Sequence, residues 1–254
     1  MKRKLDFLLR TQNVELVFED DEVIVLNKPA NLLVLPDRYD RTLPNLQSLL
    51  ADELGDIYTV HRIDKETSGL ILFAKTAVAH ASLSQQFENR AVSKRYRAFV
   101  QGTPSGEEGV IDLPLSEGNR IMRVDRKKGK EASTEFTVLE RFDGYAYVEA
   151  RPRTGRTHQI RIHLKEIGLP LLGDPLYGDG KPFFLSAVKP HYKAEGEERP
   201  LLARTALHAS SLLILHPGTE QQMKFEVELP KDMKTTLKYL RKFRSERQDL
   251  AAEL

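Results

Sequence analysis

The sequence of 254 residues contains no cysteine. Without a thiol, the chain cannot form disulfides, bind zinc through cysteine ligands or use a cysteine nucleophile. This excludes the zinc-dependent base deaminases, whose metal is held by cysteine, and the base methylases that attack through a cysteine thiolate. The sequence also lacks the G-x-x-x-x-G-K-[ST] and G-x-G-x-x-G motifs, so it indicates no standard nucleotide-binding loop.

Long apolar runs are missing too. No stretch approaches the ~20 residues that a membrane helix requires, and the basic first ten residues have an apolar part too short for a signal peptide. We therefore expect a cytoplasmic protein without membrane contact. Hydrophobic residues make up 40% of the chain and charged residues 30%, which is typical of a globular protein with a sizeable buried core.

Net charge is small at +2, but positive charge is concentrated locally. Three basic clusters lie at residues 123–130, 151–165 and 231–247. Basic clusters on a near-neutral chain favour a polyanionic partner. The alternative is that these lysines and arginines lie on solvated helix faces, and for the C-terminal cluster that alternative is the stronger one.

The hydrophobic periodicity predicts more strands than helices. Strands are predicted at 23–26, 70–74, 95–100, 136–139, 145–151, 212–215 and 223–229, and helices at 46–54, 76–87, 157–167 and 233–240. Turn signals at Asp143-Gly144 and Pro217-Gly218-Thr219 join neighbouring strands into hairpins. We therefore predict an α+β fold with a mixed, mostly antiparallel central sheet flanked by helices and loops. Residues 181–199 form a polar segment, rich in lysine, glutamate and proline, that lies outside the predicted helices and strands.

One loop carries a candidate reactive group. Asp64 lies two residues after Arg62 and five before Gly69, just ahead of an apolar strand. The simple interpretation is a turn that the aspartate opens and the glycine closes. Glu66 is a rival carboxylate, and a pair of carboxylates ~5–9 Å apart would indicate a glycosidase.

The predicted helix that follows Thr157 has a cationic face. His158, Arg161 and Lys165 share this face, next to the arginine-rich turn 151–156, and such a face can hold phosphate. The alternative is a solvent-facing basic stripe. His158 and His163 lie about 140° apart on a helix, so the sequence does not predict a metal pair.

The next candidate feature is an aromatic residue between cations, in the run Lys94-Arg95-Tyr96-Arg97. An aromatic side chain between cations suits stacking on a base while the cations hold its phosphate. The alternative is that Tyr96 is a core residue of a strand, which the strand pattern alone favours.

Taken together, these segments resemble the RluA-type pseudouridine synthases, in the order of that family and from about Val14 to Pro230. The matching segments are Asn27-Lys28-Pro29, His61–Asp64 with Thr67-Ser68-Gly69, Lys94-Arg95-Tyr96, Arg153–His163, Gly173–Gly178, and Leu207-His208-Ala209 with His216-Pro217. The resemblance implies an isomerase that flips a uridine out of RNA and converts it to pseudouridine without a cofactor or metal. It implies the pseudouridine synthase catalytic fold as a single domain over residues 1–254, with a core at about 14–230, no N-terminal S4 domain and a basic C-terminal helix appended at 231–254.

The resemblance also implies roles for individual residues. Asp64 is expected to be the catalytic carboxylate, as nucleophile or as the base that starts glycal formation. Tyr96 is expected to stack on the flipped uracil, Arg161 to pair with Asp64, and Arg62 to fill the space left by the base. The remaining predicted RNA-binding residues are His61, Lys94, Arg153, Arg156 and His158.

Two other functions stay open at this point. One is a catalytically inactive RNA-binding module of the same fold, which would need neither Asp64 nor Arg161. The other is a glycoside hydrolase that uses Asp64 and Glu66. The expected partner is structured RNA, either ribosomal or transfer RNA, and the protein is expected to be a monomer with no obligate protein partner.

Overall fold

The computed structural model describes residues 9–118 and 121–245. This part of the chain divides into two compact units. The first unit contains residues 9–97, 151–158 and 207–228, and the second contains residues 98–150, 159–206 and 229–245. Among the described residues, no helix is long and apolar enough to cross a membrane.

The strands outnumber the helices, as predicted. In chain order the strands are β1 (Glu15–Glu19), β2 (Val23–Lys28), β3 (Tyr58–Thr59), β4 (Ser68–Ala74), β5 (Ser93–Gln101), β6 (Glu108–Asp112), β7 (Leu115–Glu117), β8 (Met122–Val124), β9 (Ser133–Phe142), β10 (Tyr145–Pro152), β11 (Leu207–Leu215) and β12 (Gln222–Glu226). The helices are α1 (Leu46–Leu54), α2 (Ala77–Glu88), α3 (Gln159–Glu166) and α4 (Lys231–Phe243), and a short 3₁₀ helix covers Leu185–Ala187.

In the first unit, β1, β2 and β4 are antiparallel neighbours, and β11 lies parallel to β4 on its other side. β12 forms the predicted hairpin with β11, and β3 pairs with part of β4. In the second unit, β10, β9 and β6 are neighbours, and β7 and β8 form a separate hairpin. The parallel pair of β4 and β11, together with the antiparallel pairs of β1 with β2, β2 with β4, β11 with β12 and β6 with β9, confirms the predicted α+β fold with a mixed, mostly antiparallel sheet.

The core of the first unit forms around β4, in which all seven residues are buried. Continuous burial explains why its sequence is a run of apolar residues rather than an alternation. Helix α2 covers this sheet with Ala79 and Leu83. Its start is the predicted one, because the Thr76 side chain accepts a hydrogen bond from the Ala79 amide and so caps the helix.

The core of the second unit includes the C-terminal helix. Met233 and Leu240 of α4 are fully buried against a cluster that contains Phe99 and Phe142. The sequence led us to expect that trimming the chain after Pro230 would harm folding less than RNA binding. Burial of their apolar face indicates that residues 231–243 also contribute to folding, and the comparison with RNA binding stays a prediction. The last part of the predicted helix, residues 246–254, lies outside the described residues.

Helix α3 is shorter than predicted. The sequence suggested a helix that Thr157 caps and that runs through Ile167, but α3 covers Gln159–Glu166. His158 has a φ of 53°, which is a left-handed conformation that a right-handed helix cannot contain. At the other end, Gly168 has a φ of 80° and closes the helix.

Candidate active site

The loop that presents Asp64 is a tight turn in the first unit. The Asp64 carbonyl accepts a hydrogen bond from the Thr67 amide at 3.1 Å, so the turn interpretation of this sequence is correct. The chain then enters β4 through Gly69, whose φ is 111°. A Cβ atom at Gly69 would lie 2.2 Å from the Ala209 carbonyl oxygen, which only glycine avoids. The turn therefore holds Asp64 against a fixed strand end.

A buried lysine, Lys28, restrains the backbone of the loop next to Asp64 through hydrogen bonds. Lys28 is fully buried, and its Nζ donates to the carbonyl oxygens of Pro29 at 2.9 Å, Leu32 at 2.7 Å and Lys65 at 3.1 Å. The Lys65 carbonyl also accepts the Asn31 amide at 2.7 Å. Because Lys65 follows Asp64 directly, these bonds restrain the backbone next to the carboxylate. The Asn27-Lys28-Pro29 segment was the only sequence signal for this role.

A second buried polar pair closes the loop where it enters the sheet. Ser68 Oγ and His208 Nδ1 lie 2.9 Å apart, and both residues are buried. They face each other in the parallel register of β4 and β11. A hydrogen bond inside an otherwise apolar sheet fixes the register locally, because leaving either group unpaired would be costly. The Leu207-His208-Ala209 motif thus contributes to the loop that carries Asp64.

His61 is anchored to the same strand. Its Nε2 accepts a hydrogen bond from the Leu72 amide at 3.1 Å, and its ring stacks on Phe87 at a centroid distance of 4.8 Å. Burial of the ring, together with the positive charge of Lys94, lowers the pKa of His61 to about 3. His61 is therefore a neutral anchor for the loop, and its predicted contact with RNA stays a prediction.

Tyr96 lies in the electrostatic field of Asp64. The tyrosine is 9% exposed on β5. Burial raises the pKa of its phenol well above the usual range, and the negative charge of Asp64 raises it further. Tyr96 is therefore a buried strand residue, as the strand pattern favours, and its stacking on a base stays a prediction. At neutral pH it is a neutral phenol that can donate a hydrogen bond.

The loop at residues 151–158 reaches the same site. His158 Nε2 lies 4.0 Å from Asp64 Oδ1, and a Cβ atom at Gly155 would lie 3.8 Å from Lys94 Nζ. Arg153 is exposed and Arg156 is partly exposed. Arg62 is also exposed, although the neighbouring Ile63 is buried. The first unit thus places His158 next to Asp64 and Lys94 next to the loop, and the RNA contacts of these residues stay predictions.

Arg161 forms a bidentate ion pair with Asp174, a residue for which the sequence predicted no contact. Its Nε and Nη2 donate to the two carboxylate oxygens of Asp174, each at 2.7 Å, inside the second unit. The edge of the guanidinium formed by Nε and Nη2 is therefore occupied by Asp174. The alternative of a solvent-facing basic stripe does not hold for Arg161, because its side chain is 1% exposed. Whether Arg161 also pairs with Asp64 stays a prediction.

The Gly173–Gly178 motif builds the socket for this arginine. Asp174 Oδ1 accepts the amides of Leu176 and Tyr177 at 2.9 and 3.1 Å, and the Tyr177 ring lies 5.3 Å from the guanidinium carbon. Burial acts to raise the pKa of Asp174, but the hydrogen bond and charge of Arg161, helped by the two amides, lower it overall. Sequence reasoning gave Asp174 no role, although its motif was one of the matching segments.

His163 links α3 to neighbouring segments of the second unit through hydrogen bonds. Its Nδ1 lies 2.9 Å from Thr134 Oγ1 and its Nε2 lies 3.0 Å from the Leu113 carbonyl oxygen. Gln159 donates to the same Thr134 hydroxyl at 3.0 Å.

Within the described residues no group of three or more histidine, aspartate or glutamate side chains is arranged to hold a metal ion.

Known proteins resemble this chain over most of its length. A family model described as RNA pseudouridylate synthase matches residues 22–166. The ribosomal large subunit pseudouridine synthase D of Zymomonas mobilis is 40% identical over 240 residues, which are 89% of this chain and 73% of that protein. The dual-specificity RNA pseudouridine synthase RluA of Escherichia coli is 36% identical over 215 residues, 83% of this chain and 91% of that protein. The solved structure of human RNA pseudouridylate synthase domain containing 4 aligns with a TM-score of 0.70 and 25% identity, covering 95% of this chain and 98% of that one.

Proposed function

The chain belongs to the RluA-type family of RNA pseudouridine synthases, and from that premise we propose that Asp64 is its catalytic carboxylate and ribosomal RNA its substrate. The family reaction breaks the N1–C1′ bond of a uridine, rotates the base and forms a C5–C1′ bond. A single carboxylate serves either route, by attacking C1′ or by removing a proton from C2′. The observation that carries the assignment is the restrained turn that presents Asp64 beside Tyr96 and His158.

Tyr96 is proposed to receive the flipped uracil. An aromatic face suits stacking on a base that has left the helix. Burial and the charge of Asp64 both raise the pKa of this phenol, so the hydroxyl keeps its proton at neutral pH. Its role in the reaction is therefore that of a platform and a hydrogen-bond donor, and it does not act as a base in the resting state.

The cationic residues are proposed to hold the RNA around this site. Arg62 is exposed two residues before Asp64, which suits insertion into the gap that the flipped base leaves. Lys94, Arg153 and Arg156 are proposed to contact phosphates, which position the RNA without reading its sequence. Arg161 is proposed to support Asp64 from its socket at Asp174.

The names of the relatives support ribosomal RNA as the first substrate to test. The Zymomonas relative is named for the large ribosomal subunit, whereas the E. coli relative is named as a dual-specificity enzyme. We expect pseudouridine at specific positions of large-subunit ribosomal RNA, and transfer RNA is the second substrate to test. Mapping pseudouridine in total RNA with and without the protein identifies the modified uridines.

The decisive experiment compares Asp64→Asn with Glu66→Gln in a tritium-release assay on RNA labelled at uridine C5. We expect the first variant to lose at least ~10⁴-fold in rate, because the reacting group is gone, and the second to retain activity. Hydrolysis of a glycoside without tritium release, lost equally in both variants, would support the glycoside hydrolase instead. Full activity of Asp64→Asn would contradict the proposal, and an inactive wild type that binds RNA would support the inactive RNA-binding module.

The assembly and location are also proposals. We expect a cytoplasmic monomer with no obligate protein partner, in line with the sequence. Light scattering coupled to size-exclusion chromatography tests the monomer, and a mass that matches a dimer contradicts it.

A further inference from the structure

The His158 side chain, in the loop at residues 151–158, lies close to the Asp64 carboxylate. Its Nε2 lies 4.0 Å from Asp64 Oδ1, and the two side chains are 19% and 16% exposed. Both groups are therefore accessible to a bound substrate but sheltered from bulk water. The distance is beyond the ~2.7–3.2 Å of a hydrogen bond, and catalytic hydrogen bonds are often long in free enzymes and shorten when substrate binds.

The backbone of His158 is held in an unfavourable conformation. Its φ of 53° is in the left-handed region, which costs of order 1–3 kcal/mol for a residue with a side chain. Glycine or asparagine would adopt this conformation more easily. Strain of this kind persists at functional sites when the side chain has a task there. Here the strained backbone places the imidazole next to Asp64, one residue before α3 begins.

Asp64 needs an orienting donor in either route of the reaction. A carboxylate that attacks C1′ or removes a proton from C2′ must point one oxygen at the sugar, and a misplacement of about 1 Å costs on the order of 10²-fold in rate. In the proposed function the Tyr96 phenol serves the flipped base and Arg161 supports Asp64, so His158 is a further donor to the carboxylate. An imidazole can donate from Nε2 in its cationic form and in one neutral tautomer, so this role does not require a particular charge.

From this geometry we propose that His158 is a positioning residue for Asp64, donating from Nε2 to its carboxylate when RNA is bound. The inference rests on the proposed function and deepens it. It replaces the role that the sequence suggested, a phosphate contact on a cationic helix face, because His158 lies outside α3 and points its Nε2 toward a carboxylate.

Two substitutions at His158 separate the side chain from its backbone. His158→Gly removes the imidazole and adopts a φ of 53° without strain, so the fold is preserved. His158→Gln has the same backbone strain as histidine and places its Nε2 amide near the position of the imidazole Nε2, so it restores the donor. Thr157→Ala, at the exposed neighbour, is the control for a mutation in the same loop.

Three quantities are measured for each variant. They are the single-turnover rate on large-subunit ribosomal RNA, the dissociation constant for that RNA, and the melting temperature of the protein. We expect His158→Gly to lower the rate about 10²-fold, with RNA affinity unchanged within about threefold and the melting temperature not lowered. We expect His158→Gln to recover at least part of the rate, and Thr157→Ala to match the wild type.

Two outcomes overturn the proposal. If His158→Gly turns over like the wild type, the imidazole has no role in the reaction. If its loss appears wholly in the dissociation constant, His158 is a phosphate contact. Failure of the proposed function has a different signature, since the wild type itself would then form no pseudouridine on ribosomal or transfer RNA, and the positioning role would fall with it.

Discussion

Arg161 and Asp174 form a bidentate ion pair that is shut away from solvent. Two guanidinium nitrogens each lie 2.7 Å from a carboxylate oxygen, and the side chains are 1% and 0% exposed. Such a pair is stable only when its geometry is good and the remaining hydrogen-bonding groups are satisfied. The amides of Leu176 and Tyr177 meet part of that need at Asp174. The pair therefore fixes the direction of an arginine that the family resemblance places in the reaction.

Asp174→Asn is expected to destabilise the protein by about 3–5 kcal/mol, because it leaves the buried charge of Arg161 unpaired. Asp143→Asn is the matched control. It removes the carboxylate that Arg244 contacts at 2.7 Å, but there the side chains are 30% and 72% exposed, so a loss of at most ~1 kcal/mol is expected. Urea denaturation at neutral pH measures both, and equal losses would contradict the argument.

Stability should also depend on pH through Asp174. Its pKa in the folded protein is lowered below the ordinary value of 3.8, because Arg161 and two amides outweigh burial. A lowered pKa means that the contribution is fully present above about pH 4 and is lost as the pH falls through the folded-state value. We expect the stability difference between wild type and Asp174→Asn to shrink below pH 4. A difference that stays constant down to acid unfolding would contradict this sign.

Gly69→Ala is expected to be far more damaging than Gly144→Ala. Both glycines have positive φ, at 111° and 78°. At Gly144 a Cβ would meet nothing within 4 Å, whereas at Gly69 it would lie 2.2 Å from the Ala209 carbonyl oxygen. Gly144→Ala should therefore cost only the backbone strain of ~1–2 kcal/mol. Gly69→Ala should additionally separate β4 from β11 and abolish activity. Comparable melting temperatures for the two variants would rule this out.

Much of this fold follows from local sequence signals. The apolar run of β4, the Thr76 cap of α2 and the Asp143-Gly144 hairpin depend on neighbours within a few residues, and all three are present as predicted. The strands β3, β7 and β8 span only two or three residues each, which is too short to show a period. The sequence therefore missed them.

The candidate site was predictable in its residue types but not in its pairings. Asp64 and Tyr96 come close, as the family motifs implied, whereas the bidentate partner of Arg161 is Asp174. A buried arginine binds whichever carboxylate the tertiary structure brings to it, and spacing along the chain does not show that. The sequence also does not reveal the left-handed backbone of His158, because the residues around it are typical of the start of a helix.

Lys28→Met is expected to loosen the loop that carries Asp64. The substitution keeps the side-chain length but removes the donor that three carbonyl groups share. Leaving buried acceptors unpaired costs about 1–3 kcal/mol for each group, and the Lys65 carbonyl retains the Asn31 amide. We expect a loss of about 2–6 kcal/mol in unfolding free energy and a lower single-turnover rate. Lys65→Met, at an exposed neighbour, should change neither, and a Lys28→Met enzyme as stable and active as wild type would refute the role.

The C-terminal helix provides the last test, because its charge suggests RNA binding and its packing indicates a structural role. Leu240 is fully buried in the second core, so Leu240→Ala should cost about 2–5 kcal/mol. Lys238→Ala, on the exposed face, should leave stability within about 0.5 kcal/mol. Part of the positive charge on this helix is already used inside the protein, since Arg241 contacts Glu140 at 2.9 Å. We therefore expect a chain that ends at Pro230 to lose its cooperative thermal unfolding before its RNA affinity can be compared. A truncated protein that melts like the full chain would restore the original expectation of an appended RNA-binding helix.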